Sequence, residues 1–157
     1  METARTDLPT LTALAGGGVV RWILEQLADE GLTGVKPSHG YVFQRLVDDE
    51  PTIGALAAAL GMTQQGASKQ VADLERLGYA ERVRVAGDQR ARRVRLTPQG
   101  RAVLEAGRRA RARLEADLVQ RVGAETVGAA RVAIEALIEA LGLTEQVRDR
   151  TVPAPEA

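Results

Sequence analysis

Three observations on the sequence predict a mainly α-helical fold with a single small β-hairpin. Apolar residues recur at helical spacing over most of the 157 residues. The period changes to alternation only between Tyr79 and Leu96, where two short runs flank a turn at residues 86–90. Aromatic residues make up only 3% of the chain. Alanine, leucine and valine must therefore fill the core, and this favours close packing between helices.

The composition excludes several classes of protein. The chain has no cysteine and a single histidine, His39, which excludes disulfides, thiol redox chemistry and a histidine-based metal site. It contains no run of about 18 apolar residues that would span a membrane, and the N-terminal residues lack the apolar core of a signal peptide. We therefore expect a cytoplasmic protein that uses no cofactor and no metal.

The net charge of zero conceals an uneven distribution of charge along the chain. Residues 1–61 carry four basic and eight acidic residues, residues 62–101 carry nine and four, and residues 102–157 carry eight and nine. Local charge, rather than the sum, determines the field that a phosphate backbone meets. The basic middle part is therefore the candidate for binding nucleic acid.

Glycine and proline mark the helix boundaries in the first third of the chain. A helical pattern runs over residues 8–30, and we expect Gly16–Gly18 to break it, because glycine weakens a helix. Pro37 suits the first turn of a second helix, since its missing N–H would be unpaired there in any case. That helix is expected to end at the acidic run 48–50.

Threonine and glycine mark the boundaries of the elements that follow. Thr52 is expected to cap a third, short helix, which Gly61 closes in the left-handed conformation. Thr63 is expected to cap a fourth helix that Gly78 closes, and Thr97 caps a long helix after the hairpin. The order of helix, short helix, glycine turn, helix and hairpin predicts a winged helix-turn-helix.

The fourth helix has polar and basic residues at its N-terminal end. In a winged helix-turn-helix this end lies in the DNA major groove, facing the base edges. Glutamine can pair with adenine at two atoms at once, while serine and lysine suit bases or phosphates. An ordinary solvated helix face is the alternative. The expected contacts with double-stranded DNA on this helix are Thr63, Gln64, Gln65, Ser68 and Lys69.

The hairpin, or wing, is rich in arginine. Six arginines lie on its two strands and tip: Arg82, Arg84, Arg90, Arg92, Arg93 and Arg95. A hairpin exposed to solvent does not need six arginines, whereas contacts with phosphates or with a minor groove require positive charge. An alternative explanation of the arginines is solubility. The expected DNA contacts among them are Arg82, Arg84, Arg90, Arg92 and Arg93. Asp88, two residues before Arg90, either forms the turn or holds an arginine in place.

Two long helical patterns follow the wing. Their apolar stripes are longer than one small lobe can cover, and such a patch usually marks an interface. We therefore expect the chain to form a homodimer. The residues assigned to the interface are Leu114, Leu118, Ile134, Leu137, Ile138 and Leu141.

Four short motifs follow one another along residues 52–100. They are a Leu-Glu-x-x-Gly helix end, an arginine on the first strand, an Asp-x-Arg wing and a Leu-Thr-x-x-Gly helix start. In this sequence their residues are Leu74, Glu75 and Gly78; Arg82; Asp88 and Arg90; and Leu96, Thr97 and Gly100. Each motif alone is weak, but together they are specific, and with them residues 52–100 closely resemble the MarR family of transcription regulators.

The resemblance implies a homodimer whose terminal helices interlock, with each recognition helix in one half of an inverted repeat. It implies that Arg90 enters the minor groove and that Asp88 steadies it. Many members of the family are repressors that release DNA when a small, often aromatic and anionic, molecule binds between the dimer helices and the DNA-binding lobe. With no cysteine and one histidine, the chain differs from the peroxide-sensing and zinc-responsive members.

A small-molecule effector would require an aromatic and basic pocket. The candidate residues are Trp22, His39, Phe43 and Arg45, with Tyr41, Arg21 and Lys36 as further candidates. Core packing is the simpler account of the aromatic residues.

The sequence thus divides into five parts. These are a disordered tail (1–7), an N-terminal dimerisation helix (8–35), a winged helix-turn-helix lobe (36–101), C-terminal dimerisation helices (102–143) and a second tail, expected to be disordered (144–157).

Two other classes of function are alternatives to DNA binding. An enzyme needs a nucleophile with a base, paired carboxylates in a cleft or a cofactor loop, and the sequence contains none of these patterns. The acidic run 48–50 is typical of a helix end. A winged helix that binds protein, without specific DNA binding, is the stronger alternative, but it would need an apolar recognition face.

Overall fold

The computed structural model describes the backbone of residues 6–85 and 88–149, and the side chains of residues 6–84 and 92–148. Over these residues the fold is mainly helical with one antiparallel hairpin, which confirms the predicted class. The elements are α1 (Leu8–Asp29), α2 (His39–Arg45), α3 (Ile53–Leu60), α4 (Gln64–Arg76), β1 (Ala80–Val85), β2 (Asp88–Leu96), α5 (Pro98–Val122), α6 (Ala124–Ala140) and α7 (Thr144–Asp149).

Helix α1 is continuous through Gly16–Gly18, so the predicted break is wrong. A glycine costs a helix about 1 kcal/mol relative to alanine but does not obstruct it sterically. The helix therefore continues through the glycines, and α1 packs along α5, where Arg109 pairs with Glu30 at 2.7 Å. The helix begins at Asp7, whose carboxylate accepts a hydrogen bond from the Thr10 N–H at 2.9 Å. Asp7 is therefore a helix cap rather than part of a disordered tail.

The helix-turn-helix has the predicted boundaries. The Thr52 hydroxyl accepts a hydrogen bond from the Ala55 N–H at 3.2 Å and caps α3, and Gly61 ends this helix with a φ of +64°. The Thr63 hydroxyl accepts from the Gly66 N–H at 3.1 Å and caps α4. Each cap satisfies an N–H that the helix itself leaves unpaired, which fixes the first residue of the helix.

One core joins α2, α3, α4 and the wing. Its side chains are at most 9% exposed and are mainly leucine and valine, with two aromatic rings, those of Phe43 and Tyr79. They include Val42, Phe43, Leu46, Leu56, Leu60, Val71, Leu74, Val94 and Leu96. The core therefore contains residues from both sides of the helix-turn-helix and from β2, and it holds α4 and the wing as one unit.

The wing is anchored at its base by hydrogen bonds as well as by apolar contacts. Ala80 of β1 pairs with Leu96 of β2, so both side chains lie on the buried face of the hairpin. The Val94 N–H donates to the Pro51 carbonyl at 2.9 Å, which adds the chain before α3 to the edge of β2. The Tyr79 hydroxyl donates to the Thr33 carbonyl at 2.8 Å. These bonds fix the position of the strands relative to the helices.

The terminal helices extend away from this core. Thr97 caps α5 through the Gly100 N–H at 3.1 Å, as predicted. Helix α6 has no buried residue in the single chain. Residues 144–149 form α7, so the prediction of disorder is wrong for this part of the tail, and residues 150–157 lie outside the described residues. Among the described helices, none is long and apolar enough to cross a membrane.

Gly100 provides a test of how closely α5 approaches the wing. A Cβ at this position would lie 2.0 Å from the Tyr79 carbonyl oxygen, so a substitution must move backbone. Alanine normally stabilises a helix by about 1 kcal/mol relative to glycine. Here we expect Gly100→Ala to lower the free energy of unfolding by about 2 kcal/mol, because of overpacking. Urea denaturation at fixed protein concentration measures the change.

Gly107→Ala is the matched control on the same helix. The nearest atom to a Cβ there is the Arg111 Nη1 at 3.5 Å, an ordinary contact with a flexible side chain. This variant should be at least as stable as the parent. Equal stability of the two variants would contradict the close approach at Gly100.

Candidate nucleic-acid interface

Helix α4 is divided into a buried face and a polar face. Ala67, Val71 and Leu74 are fully buried in the core. Gln65 and Lys69 are exposed on the other side of the helix. The structure therefore brings the predicted recognition residues together at the N-terminal end of one helix. Those residues are Thr63, Gln64, Gln65, Ser68 and Lys69, of which Ser68 is half-buried and the others are exposed.

One face of the wing lies beside α4. The register pairs Arg82 with Val94 and Arg84 with Arg92, and alternation along each strand puts these four on the face that is buried at its base. Val94 lies in the core, whereas Arg84 and Arg92 are exposed nearer the tip. Two exposed guanidinium groups therefore lie on the same side of the wing as the recognition helix.

Arg82 is held by α4. Its Nη2 donates to the carbonyl oxygen and the hydroxyl of Ser68, both at 3.3 Å, and its Nη1 lies 3.5 Å from a carboxylate oxygen of Glu75. The Arg82 side chain is only 27% exposed. Sequence reasoning grouped Arg82 with the DNA-contacting arginines, and the structure adds partners within the protein that depend on the three-dimensional packing.

Arg93 and Arg95 lie on the opposite face of the wing. Arg95 Nε is 2.8 Å from Glu81 Oε1, and Arg93 Nη1 donates to the Glu50 carbonyl at 3.4 Å. Both contacts are directed away from α4. The predicted DNA contact of Arg93 stays a prediction, and the structure places this residue apart from Arg84 and Arg92.

The Asp-x-Arg pair of the wing lies at the start of β2. The backbones of Asp88 and Arg90 belong to this strand, but their side chains lie outside the described residues. Their predicted roles in the minor groove stay predictions.

The residues chosen as effector contacts are not brought together. Phe43 is a core residue, with its ring centroid 6.2 Å from that of Tyr79, and His39 is 1% exposed. Arg45 Nη2 donates to the Ala59 carbonyl at 3.3 Å, and Trp22 is half-buried on α1. Periodicity identified the apolar faces but did not distinguish core positions from the wall of a cavity.

A cavity of about 170 Å³ lies between α1, residues 35–44 and α5. Its walls are mainly apolar, and of the four predicted effector residues only Phe43 lines it. Two basic residues, Lys36 and Arg111, also line it. Arg111 was not among the effector residues proposed from the sequence. The signal that was missed is Gly107, four residues earlier, because its small size leaves room in front of the guanidinium.

Lys36 and His39 form a small polar cluster with α4. The Lys36 N–H donates to His39 Nδ1 at 3.2 Å, and the Lys36 ammonium pairs with Asp73 at 2.5 Å. Burial, and next the charge of Lys36, lower the pKa of His39, while the hydrogen bond from Lys36 lowers the pKa of Asp73. His39 is thus a neutral structural acceptor.

Residues 33–91 match the family model described as the MarR family. This part of the chain is therefore similar to members of that family. This match covers the helix-turn-helix and most of the wing, and with them the first three of the four motifs quoted from the sequence. A comparison of the sequence with curated proteins found no significant match.

Solved structures of MarR-type proteins have the same fold along most of the chain. S. aureus MepR in complex with DNA is 22% identical, with 85% of this chain and 97% of that chain covered and a TM-score of 0.68. YusO from Bacillus subtilis is 20% identical over 83% and 91% of the two chains, with a TM-score of 0.66. A MarR family protein from Bacillus stearothermophilus is 20% identical over 86% and 93%, with a TM-score of 0.64. The structural similarity establishes a shared fold, and at identities this low it establishes no more than that.

The buried histidine predicts a pH dependence of stability. His39 has a pKa below its ordinary value of 6.5 in the folded chain, and the ordinary value when unfolded. Between those two values, unfolding takes up a proton. We therefore expect the full stabilisation above pH 6.5, and a decrease as the pH falls towards the folded-state pKa. Thermal unfolding across this range measures the effect.

His39→Asn is the control, because asparagine keeps an acceptor for the Lys36 N–H but does not titrate. Its stability should be flatter with pH over the same interval. Because His39 is the single histidine, an NMR titration reports its pKa without ambiguity. A pKa at or above 6.5 would show that burial does not disfavour the charged form.

Proposed function

We propose that this protein is a cytoplasmic transcription regulator that binds double-stranded DNA as a homodimer. In this proposal each protomer places α4 in the major groove of one half of an inverted repeat, and the bound dimer represses transcription. One observation carries the proposal: the polar N-terminal end of α4 and the exposed pair Arg84 and Arg92 lie on the same side of the lobe.

The chemistry of this surface suits a nucleic acid. Gln65 and Lys69 lie at the end of the helix whose dipole favours anions, and a glutamine side chain can pair with an adenine edge. Arg84 and Arg92 suit the phosphates beside the groove, because guanidinium groups bind phosphate oxygens with two parallel hydrogen bonds. The wing then orients the lobe, and α4 provides the sequence discrimination.

A winged helix that binds protein remains the alternative, and the recognition surface speaks against it. Such a module needs an exposed apolar patch there. The apolar residues of α4 are instead buried, and its exposed residues near the N-terminus are glutamine and lysine. The MepR–DNA complex, in which a protein of the same fold is bound to DNA, further supports the DNA-binding proposal.

The terminal helices support the homodimer. Large apolar side chains are exposed on α1, α5, α6 and α7, a distribution that a monomer in water would leave uncovered. Of the six proposed interface residues, Leu118, Ile134 and Leu141 are at least 40% exposed, and Leu114, Leu137 and Ile138 are half-buried. Pairing of two copies through these helices would bury them and set the spacing of the two recognition helices.

The cavity beside α1 supports a small-molecule effector as part of the same proposal. Its apolar walls suit an aromatic ring, and the positive charges of Arg111 and of Lys36, which already pairs with Asp73, attract an anionic group. We expect aryl carboxylates to change the fluorescence of Trp22, the single tryptophan. Lys36→Met should weaken the response, and Lys69→Met, which removes a cation outside the cavity, should not. A signal unchanged by every aryl carboxylate would remove this part of the proposal.

The DNA-binding proposal is tested by fluorescence anisotropy on DNA from the region upstream of the gene, against scrambled DNA. We expect specific binding that weakens with salt, because phosphate contacts release counterions. Arg84→Met should reduce the affinity. It should also make the slope of the logarithm of the binding constant against the logarithm of the salt concentration shallower by about 0.9, the value for one phosphate contact. Arg108→Met removes the same charge from the exposed surface of α5 and should leave binding unchanged.

Equal, weak binding to both DNA molecules would contradict specific recognition. Identical effects of Arg84→Met and Arg108→Met would show that only the overall charge matters, and would remove the wing from the interface.

The dimer is tested by sedimentation. Leu118→Glu and Leu141→Glu place a charge on side chains that are 46% and 62% exposed in the single chain, so the protomer fold should tolerate them. Burial of an unpaired carboxylate at the interface should nevertheless give monomers that bind DNA poorly. Ala58→Glu, at an exposed position on α3, is the control and should remain dimeric. Dimers of both leucine variants would exclude this interface.

A further inference from the structure

We propose that Arg82 is a positioning residue for the recognition helix. It orients the Ser68 hydroxyl as a hydrogen-bond donor towards DNA, and in this way determines the preference at one base pair without touching DNA itself. This inference rests on the proposed function and adds a specificity-determining role to the same surface.

The position of Arg82 distinguishes it from the other arginines on this face of the wing. It lies opposite Val94, at the level where the hairpin enters the core, and its side chain is 27% exposed. Arg84 and Arg92, two residue pairs further towards the tip on the same face, are exposed. The next residues towards the tip are therefore available to phosphates, whereas Arg82 is turned into the angle between β1 and α4.

Both Nη groups of the Arg82 guanidinium already have partners within the protein, while its buried Nε has no hydrogen-bond partner. Glu75 lies 3.5 Å from Nη1 and compensates the positive charge. Nη2 reaches both oxygens of Ser68 at 3.3 Å. A contact with phosphate would require these bonds to break and would leave the half-buried Glu75 without its cation. The geometry thus favours a role within the protein.

The bond to Ser68 has a consequence for the hydroxyl. Its oxygen accepts from Arg82, so its hydrogen is left to donate to another group. Ser68 lies between the exposed residues Gln65 and Lys69 at the N-terminal part of α4. In a major groove, a donor pairs with the N7 or O6 of guanine, the N7 of adenine or the O4 of thymine, but not with the amino group of cytosine.

The first measurement requires no DNA. A double-mutant cycle compares the urea midpoints of Ser68→Ala, Arg82→Met and the double variant. If Arg82 and Ser68 interact as described, the loss in the double variant is smaller than the sum of the two single losses. Additive losses would overturn the inference, whatever the protein does to DNA.

The second measurement determines affinity for the operator and for every single base-pair substitution of it, at several salt concentrations. Ser68→Ala and Arg82→Met should weaken the sequence preference at the same base pair, with a loss of about tenfold in discrimination there. The salt dependence of Arg82→Met should equal that of the parent. Arg84→Met is the matched comparison: it should lower the salt dependence and keep the base preference.

Arg82→Lys separates charge from geometry, and keeps the test valid if Arg82→Met folds poorly. Lysine keeps the positive charge but lacks the planar fork that reaches Ser68 and Glu75 together. If Arg82 is a positioning residue, Arg82→Lys should weaken the sequence preference at the same base pair as Ser68→Ala does. A phosphate contact would tolerate lysine.

The outcomes distinguish this inference from the proposed function. If the parent binds specifically but Arg82→Met lowers the salt dependence and keeps the base preference, Arg82 is a phosphate contact and the inference is overturned. If the parent discriminates no sequence, the proposed function itself fails and takes the inference with it, even where the cycle without DNA is non-additive.

Discussion

The pairing register of the hairpin determines which side chains of the wing face α4. With Val94 and Leu96 buried against the helix-turn-helix, every second residue of the wing is directed towards α4 and the others away from it. A slip of one residue would exchange the two faces. The hydrogen bond from Val94 to Pro51 and the packing of Gly100 on Tyr79 hold the register at both sides of the base. The positions of the arginines follow from these contacts.

The register divides the arginines into groups with different roles. Arg93 and Arg95 contact the chain on the outer face, Arg82 joins β1 to α4, and Arg84 and Arg92 remain exposed beside the recognition helix. High arginine content alone therefore does not measure the DNA-binding surface. The rigid core beneath makes the wing and α4 one body, whereas the terminal helices, with their exposed apolar faces, set the distance between two such bodies in the proposed dimer.

Local signals in the sequence predicted the lobe well. Thr52, Thr63 and Thr97 cap the helices as expected, because a cap needs only residues three positions away. The break at Gly16–Gly18 was wrong because glycine costs a helix only about 1 kcal/mol relative to alanine and does not obstruct it sterically. The partners of Arg82 and the lining of the cavity were not predictable, since they join residues distant in sequence. Lys36 and Asp73, for example, are 37 positions apart.

In the proposed dimer, α4 and the wing of each protomer together read one half of a two-fold symmetric site. Footprinting of the parent protein on its operator shows whether they do so. We expect two protected major-groove segments about one helical turn apart or a multiple of it, each with protection of the adjacent backbone where the wing lies. A single protected segment, or uniform protection without a half-site pattern, would contradict this arrangement.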